Sequence, residues 1–279
     1  MAKIVVLGSE GMLGRDLLVT LSHAHEVIGF DKNDIDITRQ RATAELLRDI
    51  TPDCVVNAAG YTDVDRCEKM VRKAFSVNGE GVKNVAKACR YVSAKLVHIS
   101  TDYVFDGEKG SPYHEEDPPN PINIYGESKL MGERYVERYL DDYLIIRTQW
   151  LYGKQGPNFV ETILALAEKT VRIEVVNDQT GSPTYTSDLS RGICHLVERG
   201  VRGIFHVTNQ GACSWYEFAL EIIRLSDGVR AEIVPVTSKA LNRPAERPSF
   251  SVLDCGKFGR VTGMAMRSWR DGLRDYFRR

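Results

Sequence analysis

Short apolar runs rich in β-branched residues alternate along the first half of the chain with longer stretches whose apolar positions recur at helical spacing. KIVVLG leads into GMLGRDLLVTLS, EVIGFD into TRQRATAELLRDI, and CVVNAA into a helical pattern ending near NVAKACRY. KLVHIS, then IYGESKLMGERYVERYL, then YLIIRT continue the alternation. Strand, helix, strand at this spacing predicts a parallel sheet covered on both faces. The prolines of EKGSPYHEEDPPNP (108–121) interrupt it with a loop. After Gly153 the rhythm loosens. NFVETILALAEKT predicts a helix, DQTGSPTY a turn-rich loop, and SWYEFALEIIRLS a helix with Ser214 as its N-cap. Between Thr184 and Asn209 a helix and then a strand, GIFHVTN, return the chain toward the main sheet.

Composition narrows the picture by exclusion. With 279 residues, 43% hydrophobic and 27% charged, the chain is long enough for one large α/β domain with a smaller appendage. A formal net charge of −1 supplies no field for nucleic acid or an anionic membrane, and the cluster of Arg274, Arg278 and Arg279 reads as a solvated helix end. No stretch reaches the ~18–20 apolar residues of a bilayer span, and MAKIVVLGSEG carries no signal core, so a cytoplasmic protein is expected. The six cysteines show no CxxC pair and read as reduced structural thiols. His98 and His206 sit in strand-like runs and read as packed rather than ligating, so no metal site is expected.

Candidate chemistry begins at GSEGMLG. Gly8, Gly11 and Gly14 fall between the first strand and the first helix, with Met12 and Leu13 between the last two. A tight turn, close approach of backbone to a pyrophosphate, and close helix–strand packing each require a missing side chain, and the helix N-terminus then faces the phosphates. The spacing GxxGxxG departs from the commoner GxGxxG. At the end of the second strand Asp31 is placed to hold the adenosine ribose hydroxyls, or else serves only the turn; Asp36 is a turn or adenine-side residue. A carboxylate there repels the 2′-phosphate of NADP by ~1–4 kcal/mol, which favours NADH, while Lys32 offsets the penalty enough for dual use. The reading is α/β: a Rossmann-type doubly wound parallel sheet with a smaller C-terminal substrate domain. Residues 1–152 and 184–209 form the dinucleotide-binding domain, and 153–183 with 210–279 the substrate-binding domain.

Two Tyr-x-x-x-Lys pairs occur, Tyr91 with Lys95 and Tyr125 with Lys129. Open α/β sheets bind ligands beyond the carboxyl ends of their strands. Tyr91 and Lys95 precede the strand KLVHIS and enter from the opposite edge, whereas Ser100 and Thr101 close it on the ligand side and Tyr125 opens the following helix. Four residues of helix put Tyr125 and Lys129 on one face, where an ammonium stabilises a phenolate and the phenol donates a proton to a ketone as hydride arrives. Thr101 then helps polarise the carbonyl.

With the glycine triple, the Ser/Thr at the fourth strand and YxxxK in order, the chain resembles the extended short-chain dehydrogenase/reductase superfamily, and within it the dTDP-4-dehydrorhamnose reductases. NAAGYTDVDRCE (57–68), STDYVFDG (100–107), NIYGESKLMGE (123–133), RTQWLYG (147–153), DQTGSPT (178–184), SWYEFA (214–219) and RPSFSVLD (247–254) resemble that family's blocks, in its order. The resemblance implies NADPH or NADH as cofactor, held also by Ala58, Ala59, Tyr61, Tyr125 and Lys129. It implies a nucleotide-sugar substrate approached by Thr62 and Val64, in a pocket shaped by Asp102, Tyr103 and Trp150. It makes Arg247, in competition with Arg243, a candidate for the substrate diphosphate, and it allows a homodimer. Gln149 and Gly60 depart from the small polar residue and alanine common at those positions.

Three alternatives accompany this reading. A 4,6-dehydratase carries Asp-Glu after the Ser/Thr, where this chain has Asp102 and Tyr103. An epimerase consumes no reduced cofactor. A non-catalytic subunit resembling the regulatory subunit of methionine adenosyltransferase retains the nucleotide fold without turnover.

Overall fold

The structure is a computed structural model that describes residues 1–228 and 230–278; Arg279 of the basic tail lies outside the described residues. In chain order the first elements are β1 (Lys3–Leu7), α1 (Met12–Leu21), β2 (Glu26–Phe30), α2 (Gln40–Ile50) and β3 (Cys54–Asn57). Then come α3 (Val64–Lys69), α4 (Val71–Phe75), a π-helical turn (Ser76–Gly81), α5 (Val82–Val92), β4 (Lys95–Thr101) and a 3₁₀ turn (Asp102–Val104). The chain continues with α6 (Ile124–Tyr139), β5 (Tyr143–Thr148), β6 (Leu151–Tyr152), α7 (Phe159–Ala167), β7 (Arg172–Val176), β8 (Thr180–Gly181) and β9 (Thr184–Tyr185). It ends with α8 (Thr186–Glu198), β10 (Gly203–His206), β11 (Cys213–Ser214), α9 (Trp215–Leu225), β12 (Glu232–Val236), α10 (Ser238–Leu241), α11 (Gly256–Thr262) and α12 (Trp269–Phe277).

Six strands form one parallel sheet in the order β10-β5-β4-β3-β1-β2. Alternate residues of each strand feed two separate cores. Ile4 and Val6 of β1 pack with α1 and α8, and Val5 and Leu7 pack with α2 and α5 on the other face. From β1 the chain first adds β2 on one side and then returns to place β3 on the other. That reversal opens a crevice beyond the carboxyl ends of β1 and β3, the position where such sheets take ligands. A third core, built around Tyr152, Phe218 and Trp269, joins β7, α7, α9 and α12 into a smaller lobe.

Two segments depart from the sequence pattern. The second helix begins at Gln40 rather than Thr38, because the Asp36 carboxylate accepts from both the amide (3.0 Å) and the hydroxyl (2.7 Å) of Thr38 and makes a separate turn. The helical pattern before NVAKACRY is not one helix but α3, α4, the π-helical turn and α5. Asn78 lies in the wide turn, a geometry frequent at functional sites, and its side chain accepts from the Tyr61 amide. The expected capping of α9 is present: the Ser214 hydroxyl accepts from the amide of Glu217 at 3.1 Å, and Glu217 returns the contact to the Ser214 amide at 2.7 Å.

Candidate active site

The nucleotide end is built by glycines under steric compulsion. Gly8 follows β1 with φ +81°, and a Cβ there would lie 2.7 Å from the amide nitrogen of Ala59. A Cβ on Gly14 would lie 2.1 Å from the Gly8 carbonyl oxygen, so α1 can approach β1 only without one. Gly11 differs: its Cβ would meet only the Gly8 oxygen, at 3.3 Å. It stands at the N-cap of α1 with no side-chain cap, leaving the first amides of a ten-residue helix directed at the crevice. A cavity of about 330 Å³ opens there, lined among others by Gly8, Gly11, Asp31, Asp36, Ala58, Ala59 and Tyr61. Leu13 is buried in the core and Met12 packs against Gly153 and Gly156, so these two offer the crevice backbone rather than side chains.

Asp31 lines the cavity but is also tied to its own turn, accepting from the amide of Asn33 at 2.7 Å and its side-chain amide at 3.2 Å. Asp36 is held below the usual carboxylate range by the Thr38 hydroxyl. Two cations, Lys32 and Lys73, share the same cavity, and the Lys73 ammonium sits 4.4 Å over the Tyr61 ring. The uncapped helix end and these cations suit a dinucleotide carrying several phosphates.

A second group lies beyond the carboxyl end of β4. Thr101 closes that strand; its hydroxyl donates to Asp102 Oδ1 at 2.9 Å and accepts from the Tyr103 amide at 3.2 Å. Tyr125, in the first turn of α6, meets the Tyr103 ring edge-on with centroids 5.7 Å apart. Gly126 permits this, since a Cβ there would lie 2.0 Å from the Tyr103 carbonyl oxygen. The helix start is fastened on three sides. Asn123 caps it by accepting from the Gly126 amide at 2.8 Å, Asn123 also donates to the Glu246 carbonyl, and Glu68 of α3 accepts from the Ile124 amide at 2.9 Å. One turn on, buried Lys129 donates to the Ile99 carbonyl at 2.5 Å.

Burial dominates the titration of this group. It pushes the Tyr125 phenol above its ordinary value, the Thr101 hydroxyl draws it back, and Asp102, Tyr103 and Cys67 push it further up. Burial likewise lowers Lys129 to about 8, against the opposing pull of Glu133. The expectation that Lys129 lowers the phenol therefore differs from this arrangement, in which the ammonium is turned to Ile99. Asp102, 2% exposed, is pushed up to about 7 by burial.

The remaining candidates distribute around this centre. Thr62 is exposed just before α3, and Val64 is that helix's first residue. Trp150 adopts φ +48°, a region costly for a residue with a Cβ, and stacks on Trp215 with centroids 3.6 Å apart. Arg247 is engaged by Asp65 of α3, whereas Arg243 is exposed and forms no ion pair among the described residues. Gln149 is buried, and its Oε1 accepts from the Ser182 amide at 3.0 Å. The rival pair stands apart: Tyr91 is 76% exposed, and Lys95, at the amino end of β4, pairs with Asp142 at 2.5 Å.

Sequence reading missed Asn78, whose side chain accepts from the Tyr61 amide at 2.8 Å and donates to the Tyr61 carbonyl and the Ser128 hydroxyl. It thereby locks a cavity residue to α6. It also missed Trp215, Asp65 and Ser251. Nothing local marks these positions; a glycine inside the helix YGESK was the available sign of close approach.

Comparison with known proteins agrees with this geometry. A family profile described as RmlD substrate binding domain matches residues 2–279. The spore coat polysaccharide biosynthesis protein SpsK of Bacillus subtilis is 44% identical over 99% of this chain and 97% of its own. A dTDP-4-dehydrorhamnose reductase of Streptomyces griseus is 41% identical over 98% of this chain and 92% of its own. The structure of dTDP-4-dehydrorhamnose reductase from Bacillus anthracis in complex with NADP superposes with TM-score 0.95 at 40% identity, covering 99% of this chain and 98% of that one. With a full-length profile match and such identities across nearly every residue, the chain belongs to the dTDP-4-dehydrorhamnose reductase family of the extended short-chain dehydrogenase/reductases.

Proposed function

We propose that this protein reduces the C4 ketone of dTDP-4-dehydro-L-rhamnose to dTDP-L-rhamnose with NADPH or NADH. The carrying observation is Tyr125 against the Thr101 hydroxyl at the carboxyl end of β4, with buried Lys129 one turn further along α6 at the Ile99 carbonyl, beside a switch-point crevice that ends on an uncapped helix. Gly8, Gly11 and the first amides of α1, with Ala58, Ala59 and Tyr61, would hold the dinucleotide; bound in reduced form, it supplies the hydride. The NADP of the Bacillus anthracis relative fits the presence of Lys32 and Lys73, which offset the Asp31 charge.

Tyr125 donates the proton that the ketone oxygen needs. Lys129 stands one turn away on the same helix face, and its ammonium, rotated off the Ile99 carbonyl, would face the phenol and would hold the ribose of the bound dinucleotide. Thr101 orients the phenol, and Asp102, Tyr103 and Trp150 bound the sugar. Thr62, just before α3, and Val64, its first residue, approach it. Arg243 is the better-placed cation for the diphosphate, because Arg247 is already paired. Six free thiols suit a reducing cytoplasm, where a diffusible nucleotide sugar is consumed.

Mixing the protein with dTDP-4-dehydrorhamnose and each reduced cofactor should cause loss of the nicotinamide absorbance in step with sugar reduced. Substrate turnover without cofactor loss would instead mark an epimerase. No turnover, with co-purification of a partner enzyme, would mark a regulatory subunit.

A further inference from the structure

Within the reaction site one buried carboxyl has no function assigned to it beyond bounding the sugar. Asp102 is 2% exposed; its Oδ1 accepts the Thr101 hydroxyl at 2.9 Å, and its Oδ2 has no hydrogen-bond partner among the described residues. A hydroxyl has a single proton to give. While Asp102 is ionised it can only accept, so the proton of Thr101 is committed to it. Thr101 can then receive the phenol proton of Tyr125 but can return none.

We propose that Asp102 acts in the protonated state as a positioning and proton-storing residue that, through the Thr101 hydroxyl, returns to Tyr125 the proton the phenol gives to the sugar. This rests on the reductase reading. The bookkeeping of protons closes. The Tyr125 O–H bond breaks as the proton passes to the alkoxide oxygen at C4. The phenolate then takes the Thr101 hydroxyl proton, and Thr101 takes the Asp102 carboxyl proton, leaving a carboxylate that recovers one proton from water.

The surroundings accommodate both states. Ser251 Oγ lies against the carboxyl and 3.4 Å from Gln149 Oε1, so its proton turns to Asp102 when that is ionised and to Gln149 when it is not. Gln149 is itself fixed by the Ser182 amide at 3.0 Å. The titratable and charged groups facing this centre are Tyr103 on its own segment, Tyr125 and Lys129 on α6, Cys67 on α3, and Arg247 with Arg243 beyond Tyr103. Burial outweighs them and holds Asp102 at about 7, while Tyr125 is raised well clear of that range, so their limbs separate.

The test is the pH profile of steady-state kcat with saturating dTDP-4-dehydrorhamnose and reduced cofactor, because the stored proton is needed only when the phenol is reloaded between turnovers. Wild type should lose rate as pH rises through Asp102's titration. Asp102→Asn keeps the shape and the acceptor for Thr101 but stores no proton. It should be slower by ~10–100-fold, short of the 10²–10⁴ expected for removing the acid itself, and flat across that limb. Ser251→Ala removes a contact that lowers Asp102 and should move the limb to higher pH. An unchanged limb in either variant overturns the proposal. Infrared titration of the protein alone supplies a reading independent of turnover. A neutral carboxyl band that disappears near neutral pH, and is missing in Asp102→Asn, is expected; the same band in both proteins refutes the assignment. Wild type that never oxidises cofactor with the keto sugar would defeat the reductase reading, a result distinct from either.

Discussion

Arg247 grips Asp65 with both terminal nitrogens, at 3.1 and 3.0 Å, and so ties the C-terminal segment to α3 across 182 positions of chain. The fork is closed further because Arg247 also donates to the Ala245 carbonyl and the Ala245 amide donates to Asp65. Asp65 is accordingly held below the usual carboxylate range despite its burial, which opposes the shift.

Arg247→Ala should therefore weaken folding more than substrate binding. The pair is partly buried, so a cost of ~1–3 kcal/mol is expected, below that of a fully buried pair. A double-mutant cycle with Asp65→Asn, read by denaturant unfolding, should give a favourable coupling. Arg243→Ala should leave stability near wild type and raise the KM for the nucleotide sugar; the reverse pattern would return the diphosphate to Arg247.

Gly11→Ala and Gly14→Ala separate the two reasons for a glycine. A Cβ at residue 14 would lie 2.1 Å from the Gly8 oxygen, so that variant should lower the Tm and lose dinucleotide binding together. At residue 11 the nearest atom is 3.3 Å away, so the protein should fold almost normally while the Kd for NADPH rises at least about tenfold. Calorimetry with and without cofactor reads both quantities.

Tyr125→Phe removes the phenol and retains the ring that meets Tyr103. Cofactor affinity should change little, and turnover should fall by ~10²–10⁴, the range for loss of a positioned acid. Wild-type rates would remove Tyr125 as proton donor.

Stability should report Asp102 as well. Its carboxyl is raised in the folded state from 3.8 to about 7, so the folded chain holds this proton more tightly than the unfolded one. The folded state is then penalised as pH climbs between those values, by on the order of 4 kcal/mol once above both. Asp102→Asn carries no such charge. The Tm difference between variant and wild type should move in the variant's favour from pH 4 to pH 8, as read by thermal melts; a pH-independent difference would show that Asp102 ionises freely.

Much of this architecture could be read from residue order. Strand, glycine turn and helix at GSEGMLG, the N-cap at Ser214, and the placing of Tyr125 rather than Tyr91 at the carboxyl end of β4 all depend on neighbours within a turn or two, or on which strand end a residue follows. Local dihedral preference and periodicity carry that information. Tertiary structure alone settled the rest. Asp31 and Asp36 line the cavity while each also holds its own turn, Asp65 took Arg247, and Lys129 turned to Ile99. Asn78 clamped Tyr61 to α6, and Trp150 was set at positive φ against Trp215. Each of these depends on a partner distant in the chain or on the exclusion of water. A side chain's ionisation and its hydrogen-bond partner are decided by what surrounds it in space, and one-dimensional order does not encode that surrounding directly.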